Sequence, residues 1–176
     1  MIVLMAGLPG TGKSTLARAL ASRVDGTVLS KDEIRHAIFS PAEVEYSTEQ
    51  DDFVMQIMLE AAAWILRKDP ERIVFLDGRT FSRHYQIDRV IAAAGTLQQP
   101  WRILECVCAE ETARTRIASQ AAAGEHPAGN RNADLYLEVK AHFEAIVLPK
   151  TVIDTGQSLE GPVGRALQAI LRTSSS

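Results

Sequence analysis

The chain has only two cysteines and no long hydrophobic run. Cys106 and Cys108 lie in one predicted strand, and without a second Cys or His pair close in sequence they are poor candidates for a zinc site. We interpret them as free core thiols of a reducing compartment. No apolar run approaches the roughly 20 residues that cross a bilayer. Because a strand is predicted from residue 2, we expect no signal peptide and a cytoplasmic location without membrane association.

The chain also lacks an excess of positive charge. Its 19 Lys and Arg residues face 22 Asp and Glu residues, a formal net charge of −3. This balance argues against broad, unspecific nucleic-acid binding. The length of 176 residues, without an internal repeat or linker, fits one domain over residues 1–172 with a disordered tail at 173–176.

A glycine-rich motif near the start is the most informative feature present. Residues 7–15 read Gly-Leu-Pro-Gly-Thr-Gly-Lys-Ser-Thr, directly after the apolar run 2–6. This is the P-loop pattern, whose backbone N–H groups surround phosphate oxygens at a helix N-terminus. We therefore predict that ATP binds here, with Lys13 on the β- and γ-phosphates and the Ser14 hydroxyl on Mg²⁺. The predicted nucleotide contacts are Gly10, Thr11, Gly12, Lys13, Ser14 and Thr15.

Strands and helices alternate along the chain. The predicted strands cover residues 2–6, 27–30, 72–76, 101–108 and 151–154, and the predicted helices cover 13–24, 31–39, 48–68, 82–94, 110–122, 134–147 and 160–172. This order predicts a three-layer α/β fold with a five-stranded, mostly parallel sheet. On helix 48–68 an apolar stripe that includes Phe53, Val54, Met58 and Trp64 is expected to face the core. Glycines and a proline near residues 117–133 suggest a helical lid, with an ordinary surface loop as the alternative.

Two further motifs separate classes of P-loop proteins. The Asn-Lys-x-Asp guanine reader of GTPases is absent, and the strand ending at Asp77 is followed by Gly-Arg rather than by the Glu typical of ATPase motors. Instead, Ser30-Lys31-Asp32-Glu33-Ile34-Arg35 follows the second strand. Because parallel strands end at one edge, Asp32, Asp77 and the P-loop are expected to converge. Asp32 could then accept a hydroxyl proton, or it could merely cap its helix while Arg35 forms a surface ion pair.

The combination resembles small P-loop phosphotransferases related to polynucleotide 5′-kinase, zeta-toxin kinase, chloramphenicol phosphotransferase and gluconate kinase. The resemblance implies that Asp32 is the general base, and that Asp77 orients Arg35 or the water shell of the metal. It also implies a lid arginine on the donor phosphates at Arg114 or Arg116, with Arg131 as a third candidate. The loop 154–156 would border the adenine. Since Arg114 and Arg116 are two apart, a helix splays them by roughly 200° and only one is expected to face the nucleotide.

The sequence gives less information about the molecule that would accept the phosphoryl group. Arg79 and Arg83 follow the third strand and suggest an anionic group on the acceptor. Residues 36–66 contain six acids and no Lys or Arg, which disfavours a polynucleotide; we interpret these acids as a solvated helix face. We predict a kinase, monomeric or dimeric, that phosphorylates a hydroxyl of a small molecule. A nucleic-acid 5′-kinase, a toxin kinase and a nucleotide-binding switch are the alternatives.

Overall fold

A five-stranded sheet forms the centre of the molecule, and all its neighbouring strands run parallel in the order β2-β3-β1-β4-β5. The computed structural model describes residues 1–123 and 133–171. The strands are β1 Ile2–Ala6, β2 Thr27–Ser30, β3 Val74–Asp77, β4 Trp101–Val107 and β5 Thr151–Asp154. The helices are α1 Lys13–Val24, α2 Lys31–Ile38, α3 Thr48–Lys68, α4 His84–Thr96, α5 Glu110–Ala123, α6 Ala133–Ala141 and α7 Glu160–Leu171.

Helices cover the sheet on both faces. In β1, Ile2 and Leu4 point into a core completed by α3 and α4, whereas Val3 and Met5 point into a second core completed by α1 and α7. This alternation is the two-residue period of a strand that is buried on both sides. The predicted three-layer α/β fold is confirmed, and the sheet is wholly parallel. Because β1 lies between β3 and β4, the chain reverses direction across the sheet at the loop after β1, where such folds bind ligands.

The apolar stripe predicted for α3 is partly wrong. Val54 and Met58 are fully buried, but Phe53 is 54% exposed and Trp64 is 62% exposed. Residues 53 and 54 are neighbours about 100° apart on a helix, so the face that packs on the sheet can take only one of them. The Trp64 ring instead lies on the surface, 5.3 Å from the Lys68 ammonium.

Helix α6 ends at Ala141, six residues before the predicted end. Past that point the Glu144 backbone N–H donates to the Ser82 carbonyl at 2.9 Å, and the Glu144 carboxylate accepts from the His84 N–H at 2.7 Å. These bonds fix the start of α4 and are incompatible with a continuing helix. The segment 124–132, which holds most of the predicted lid, and residues 172–176, which include the predicted tail, lie outside the described residues.

Within residues 1–123 and 133–171, no helix combines the length and the apolar character that crossing a membrane requires.

Candidate active site

The P-loop packs tightly against the elements behind it. Gly7, Gly10 and Gly12 have φ angles of +127°, +75° and +75°, a region that residues with a Cβ rarely adopt. A Cβ on Gly7 would lie 2.3 Å from the Cys106 carbonyl oxygen, and one on Gly10 would lie 2.5 Å from the Ala113 carbonyl oxygen. The loop therefore needs glycine both for its backbone conformation and for its contact with β4 and α5.

Hydrogen bonds hold the loop and its lysine in place. Lys13 is buried, and its Nζ donates to the carbonyl oxygens of Gly7 and Leu8 at 2.7 Å each. The Thr11 hydroxyl donates to the Leu8 carbonyl at 2.7 Å, and the Thr155 hydroxyl donates to the Thr11 carbonyl at 2.8 Å. The ammonium group thus lies on the concave side of a curled backbone, at the N-terminus of α1.

A cleft of about 370 Å³ opens beside the P-loop. It brings together several predicted site residues from α1, α2 and α5 with residues that the sequence did not single out. The predicted residues that line it are Gly10, Gly12, Lys13, Ser14, Thr15, Asp32 and Arg116, and the others are Arg18, Ser30, Gln120, Thr155, Gln157, Leu159 and Pro162. Thr155 comes from the loop after β5, the segment expected near the adenine.

The two arginines of α5 point in different directions. The Arg116 guanidinium donates to the Thr155 carbonyl at 2.8 Å and lines the cleft. Arg114 is about half exposed, lies 3.8 Å from the Glu110 carboxylate on its own helix and does not line the cleft. Their separation of two residues produces this divergence. Arg131 lies outside the described residues.

Asp32 lies in the first turn of α2 and lines the cleft. Its helix is capped by Ser30, whose hydroxyl accepts from the Glu33 N–H at 3.4 Å, so capping does not explain Asp32. Asp32 is buried, and one of its oxygens is 3.4 Å from an Arg35 guanidinium nitrogen. Arg35 is 1% exposed, so this pair is internal rather than a surface ion pair. Lys31 Nζ lies 4.0 Å from the same Asp32 oxygen.

Two acids at the start of α3 complete this side of the site, contrary to the interpretation of a solvated helix face. Asp51 contacts the Arg35 guanidinium and lies 2.7 Å from Lys31 Nζ. Asp52 lies 2.6 Å from the guanidinium of Arg79. We call Lys31, Asp32, Arg35, Asp51, Asp52 and Arg79 the ion-pair network. Burial lowers the pKa of Lys31, while Asp51 and Asp32 oppose that shift.

Asp77 ends β3 and is aligned with Ser30 at the end of β2. It is 2% exposed, and its Oδ1 atom has no hydrogen-bond partner among the residues that the structure describes. A buried carboxylate oxygen of this kind requires a partner. Ser14 lines the cleft and Asp77 does not, but the hydroxyl of the one and the carboxylate of the other are both oxygen donors of the kind that suits Mg²⁺ or its water shell.

The predicted acceptor arginines separate. Arg79 is buried in the ion-pair network, and its guanidinium also donates to the Tyr85 hydroxyl at 3.4 Å. Arg83 instead immediately precedes α4 as its N-cap residue and pairs with Glu144 at 3.2 Å, and neither arginine lines the cleft.

The two cysteines are free, and they lie near the P-loop. Cys106 is buried in β4, and burial raises its pKa to about 12. Cys108 follows the end of β4 and is half-buried, and burial raises its pKa as well. Both are therefore neutral, weakly nucleophilic thiols near neutral pH.

Comparisons with known proteins agree with this geometry. The family model AAA_33, described as an AAA domain, matches residues 2–145. A candidate kinase from Chloroflexus aurantiacus superposes with a TM-score of 0.75 and 21% identity, covering 96% of this chain and 97% of that protein. The APS kinase CysC of Mycobacterium tuberculosis, in complex with AMPPNP and APS, has a TM-score of 0.72 and 15% identity, covering 97% of each chain.

A gluconokinase from Sinorhizobium meliloti superposes with a TM-score of 0.68 and 16% identity, covering 96% of this chain and 90% of that enzyme. Among curated protein sequences none matches this chain. The chain therefore belongs to the AAA_33 family, and it has the P-loop fold shared by these kinases.

Proposed function

We propose that this protein is an ATP-dependent kinase that transfers the γ-phosphoryl group to a hydroxyl of a small molecule. One observation carries the proposal: Asp32, a buried carboxylate, lines the same cleft as the P-loop residues Lys13 and Ser14. A phosphate-binding loop and a carboxylate that line one cleft are what direct transfer between two ligands requires.

On the nucleotide side, the curled backbone of the P-loop would bind the phosphates of ATP. Lys13 would neutralise the β- and γ-phosphates, and Arg116, which lines the cleft from α5, would approach them. Ser14 would hold Mg²⁺, and Asp77 would accept hydrogen bonds from its water shell. When bound, the metal ion neutralises charge on the phosphate oxygens.

Toward the acceptor, Asp32 would act as the general base. The acceptor hydroxyl gives its proton to the Asp32 carboxylate while its oxygen forms a bond to the γ-phosphorus. The bond between that phosphorus and the β,γ-bridging oxygen breaks, which leaves ADP. Arg35, 3.4 Å from Asp32, would fix the orientation of the carboxylate.

The fold neighbours support this choice of chemistry. The three reported above are described as kinases, and the structure of the APS kinase is a complex with AMPPNP and APS. Because they are no more than 21% identical to this chain, their likeness supports the fold directly and the reaction only by analogy.

The test is ATP consumption with Mg²⁺ across a panel of hydroxyl compounds: nucleosides, sugar alcohols, sugar acids, amino sugars, chloramphenicol-like alcohols and 5′-hydroxyl oligonucleotides. We expect one class to stimulate turnover, and Asp32→Asn to abolish that stimulation. The matched control is Asp88→Asn, which changes an exposed aspartate on α4 outside the cleft. Tight ATP binding with no acceptor-dependent turnover would contradict the kinase proposal and favour a nucleotide-binding switch.

A further inference from the structure

One glutamine of α5 brings an unpaired oxygen to the cleft. The Oε1 atom of Gln120 is buried and has no hydrogen-bond partner among residues 1–123 and 133–171. The same side chain lines the cleft together with Lys13 and Ser14. A buried acceptor oxygen without a partner is unfavourable, and a ligand that donates a hydrogen bond to it removes that cost. Gln120 is therefore a candidate contact for whatever the cleft binds.

The packing of α5 on the P-loop determines where Gln120 lies. A Cβ on Gly10 would meet the Ala113 carbonyl oxygen at 2.5 Å and the Ile117 side chain at 3.0 Å. These two residues, Arg116 and Gln120 are three or four positions apart, so they lie on one face of the helix. Gln120 thus continues, one turn further along α5, the helix face that packs on the P-loop.

The part of the cleft outside the P-loop has the character of a base site. Leu159, which is 41% exposed, and Pro162 both line it and offer apolar surface. Apolar surface suits the flat face of a base, and a small number of polar groups then fixes the edge of that base. A nucleotide whose phosphates occupy the P-loop has its nucleoside outside that loop, where these residues and Gln120 line the cleft.

Adenine, the base of the proposed phosphoryl donor, presents one hydrogen-bond donor, its 6-amino group. An acceptor oxygen such as Oε1 of Gln120 can pair with the base only through that group. Guanine carries a carbonyl oxygen at the same position, so two acceptors would face each other and the glutamine oxygen would stay unpaired. Sites that hydrogen-bond one group of a ligand reject an analogue without it, because the buried protein group is then left without a partner.

We infer that Oε1 of Gln120 accepts a hydrogen bond from the 6-amino group of adenine, and that Gln120 thereby selects ATP over GTP as the phosphoryl donor. The inference rests on the proposed function, in which the P-loop binds ATP. It makes Gln120 a specificity-determining residue that contacts the nucleotide, on a helix where the sequence indicated only arginines.

The first test compares AMPPNP with its guanine counterpart GMPPNP by isothermal titration calorimetry in the presence of Mg²⁺. We expect AMPPNP to bind at least about tenfold more tightly, because the guanine carbonyl leaves the buried oxygen unpaired. Equal affinity for the two nucleotides would overturn the inference. Tighter binding of GMPPNP would overturn it as well, since the amide nitrogen of the glutamine would then face the base.

Three variants assign the preference to Gln120. Gln120→Met keeps the length of the side chain but removes the acceptor, and should bring the ratio of the two dissociation constants close to one. Gln120→Glu keeps an acceptor oxygen and should retain the preference for AMPPNP. Gln168→Met changes an exposed glutamine of α7 outside the cleft and should leave the ratio unchanged. A wild-type ratio in folded Gln120→Met would contradict the role of Gln120.

A further titration identifies the group on the nucleotide. Purine riboside 5′-triphosphate lacks the 6-amino group, and we expect wild type and Gln120→Met to bind it with equal affinity in competition with AMPPNP. A loss of affinity in the variant would place the glutamine oxygen on the ribose hydroxyls and overturn the inference. If neither AMPPNP nor GMPPNP binds in a manner that depends on Lys13, the proposed function fails. If both bind equally well, only this inference fails.

Discussion

The P-loop and the ion-pair network, which reaches the cleft through Asp32, are built in different ways. The P-loop makes its site from backbone: three glycines at positive φ shape it, and Lys13 is held by the carbonyls of Gly7 and Leu8. The ion-pair network makes its site from side chains of α2, α3 and the segment after β3. A backbone site is encoded within nine consecutive residues, whereas the network depends on how distant segments pack. Under the proposed function, the first kind of site would bind the nucleotide and the second would position Asp32 toward the acceptor.

The largest loss of stability is expected from the addition of a single methyl group to the P-loop. Gly7→Ala should destabilise the fold by about 2–4 kcal/mol, because its φ of +127° is unfavourable for alanine and the new Cβ would meet the Cys106 carbonyl. Chemical denaturation measures the effect. Gly164→Ala is the matched control, since this α7 glycine has open space around it. This change should raise the free energy of unfolding of the protein by about 0.5–1 kcal/mol. Equal effects of the two changes would show that the tight packing of the P-loop is not real.

In the ion-pair network, removal of one carboxylate should lower the stability of the protein, because a buried cation loses its partner. Asp51→Asn leaves buried Lys31 without its 2.7 Å partner, and we expect the free energy of unfolding to fall by about 1–3 kcal/mol. The control is Glu49→Gln, at an exposed position in the same turn of α3, which should change the free energy of unfolding little.

The same variant has a definite pH dependence. Burial lowers the pKa of Lys31 in the folded state below its ordinary value of 10.5, so the unfolded chain binds more protons between the two values and stability rises with pH there. Because Asp51 raises the pKa of Lys31 against the effect of burial, its removal lowers that pKa further. The stability deficit of Asp51→Asn should therefore narrow as pH rises toward 10.5, and a constant deficit would contradict the burial of a charged Lys31.

A smaller effect distinguishes the two arginines of α5. Arg116→Ala should lower kcat by about tenfold, because it removes a charged hydrogen-bond donor from the cleft wall. Arg114→Ala removes only a surface pair with Glu110 and should change kcat less than about twofold. Steady-state kinetics with the acceptor found by the panel gives both values. A larger loss for Arg114 would reverse the assignment.

Sequence patterns predicted the fold and the elements that carry the site. The five strands and seven helices found in residues 1–123 and 133–171 were all expected, because apolar periodicity and turn residues are local signals. The main departure in length was α6, whose end is set by Glu144 bonding to the start of α4 rather than by any residue within the helix. Phe53 and Trp64 were misplaced because periodicity alone does not say which side of a wide apolar stripe meets the sheet.

The acidic half of the network was not predicted. Asp51 and Asp52 were counted with four other acids of residues 36–66 as a solvated face, and only the placement of α3 beside α2 and the segment after β3 shows that they pair internally. Arg35 and Asp51 are 16 residues apart, beyond the reach of any helical or strand spacing. The available signal was a pair of adjacent aspartates near the start of α3, in a chain with basic residues at the start of α2 and directly after β3.

The central claim, that the P-loop binds nucleotide while Asp32 serves the acceptor, is tested most directly by AMPPNP affinity in two variants. Isothermal titration calorimetry with Mg²⁺ should show weakened or lost binding in Lys13→Ala, and near wild-type binding in Asp32→Asn. The latter should nonetheless lose acceptor-dependent turnover by about 10²–10⁴. If Asp32→Asn loses AMPPNP binding as severely as Lys13→Ala, the assignment of the two residues to different ligands is wrong, and Asp32 belongs to the nucleotide or metal site.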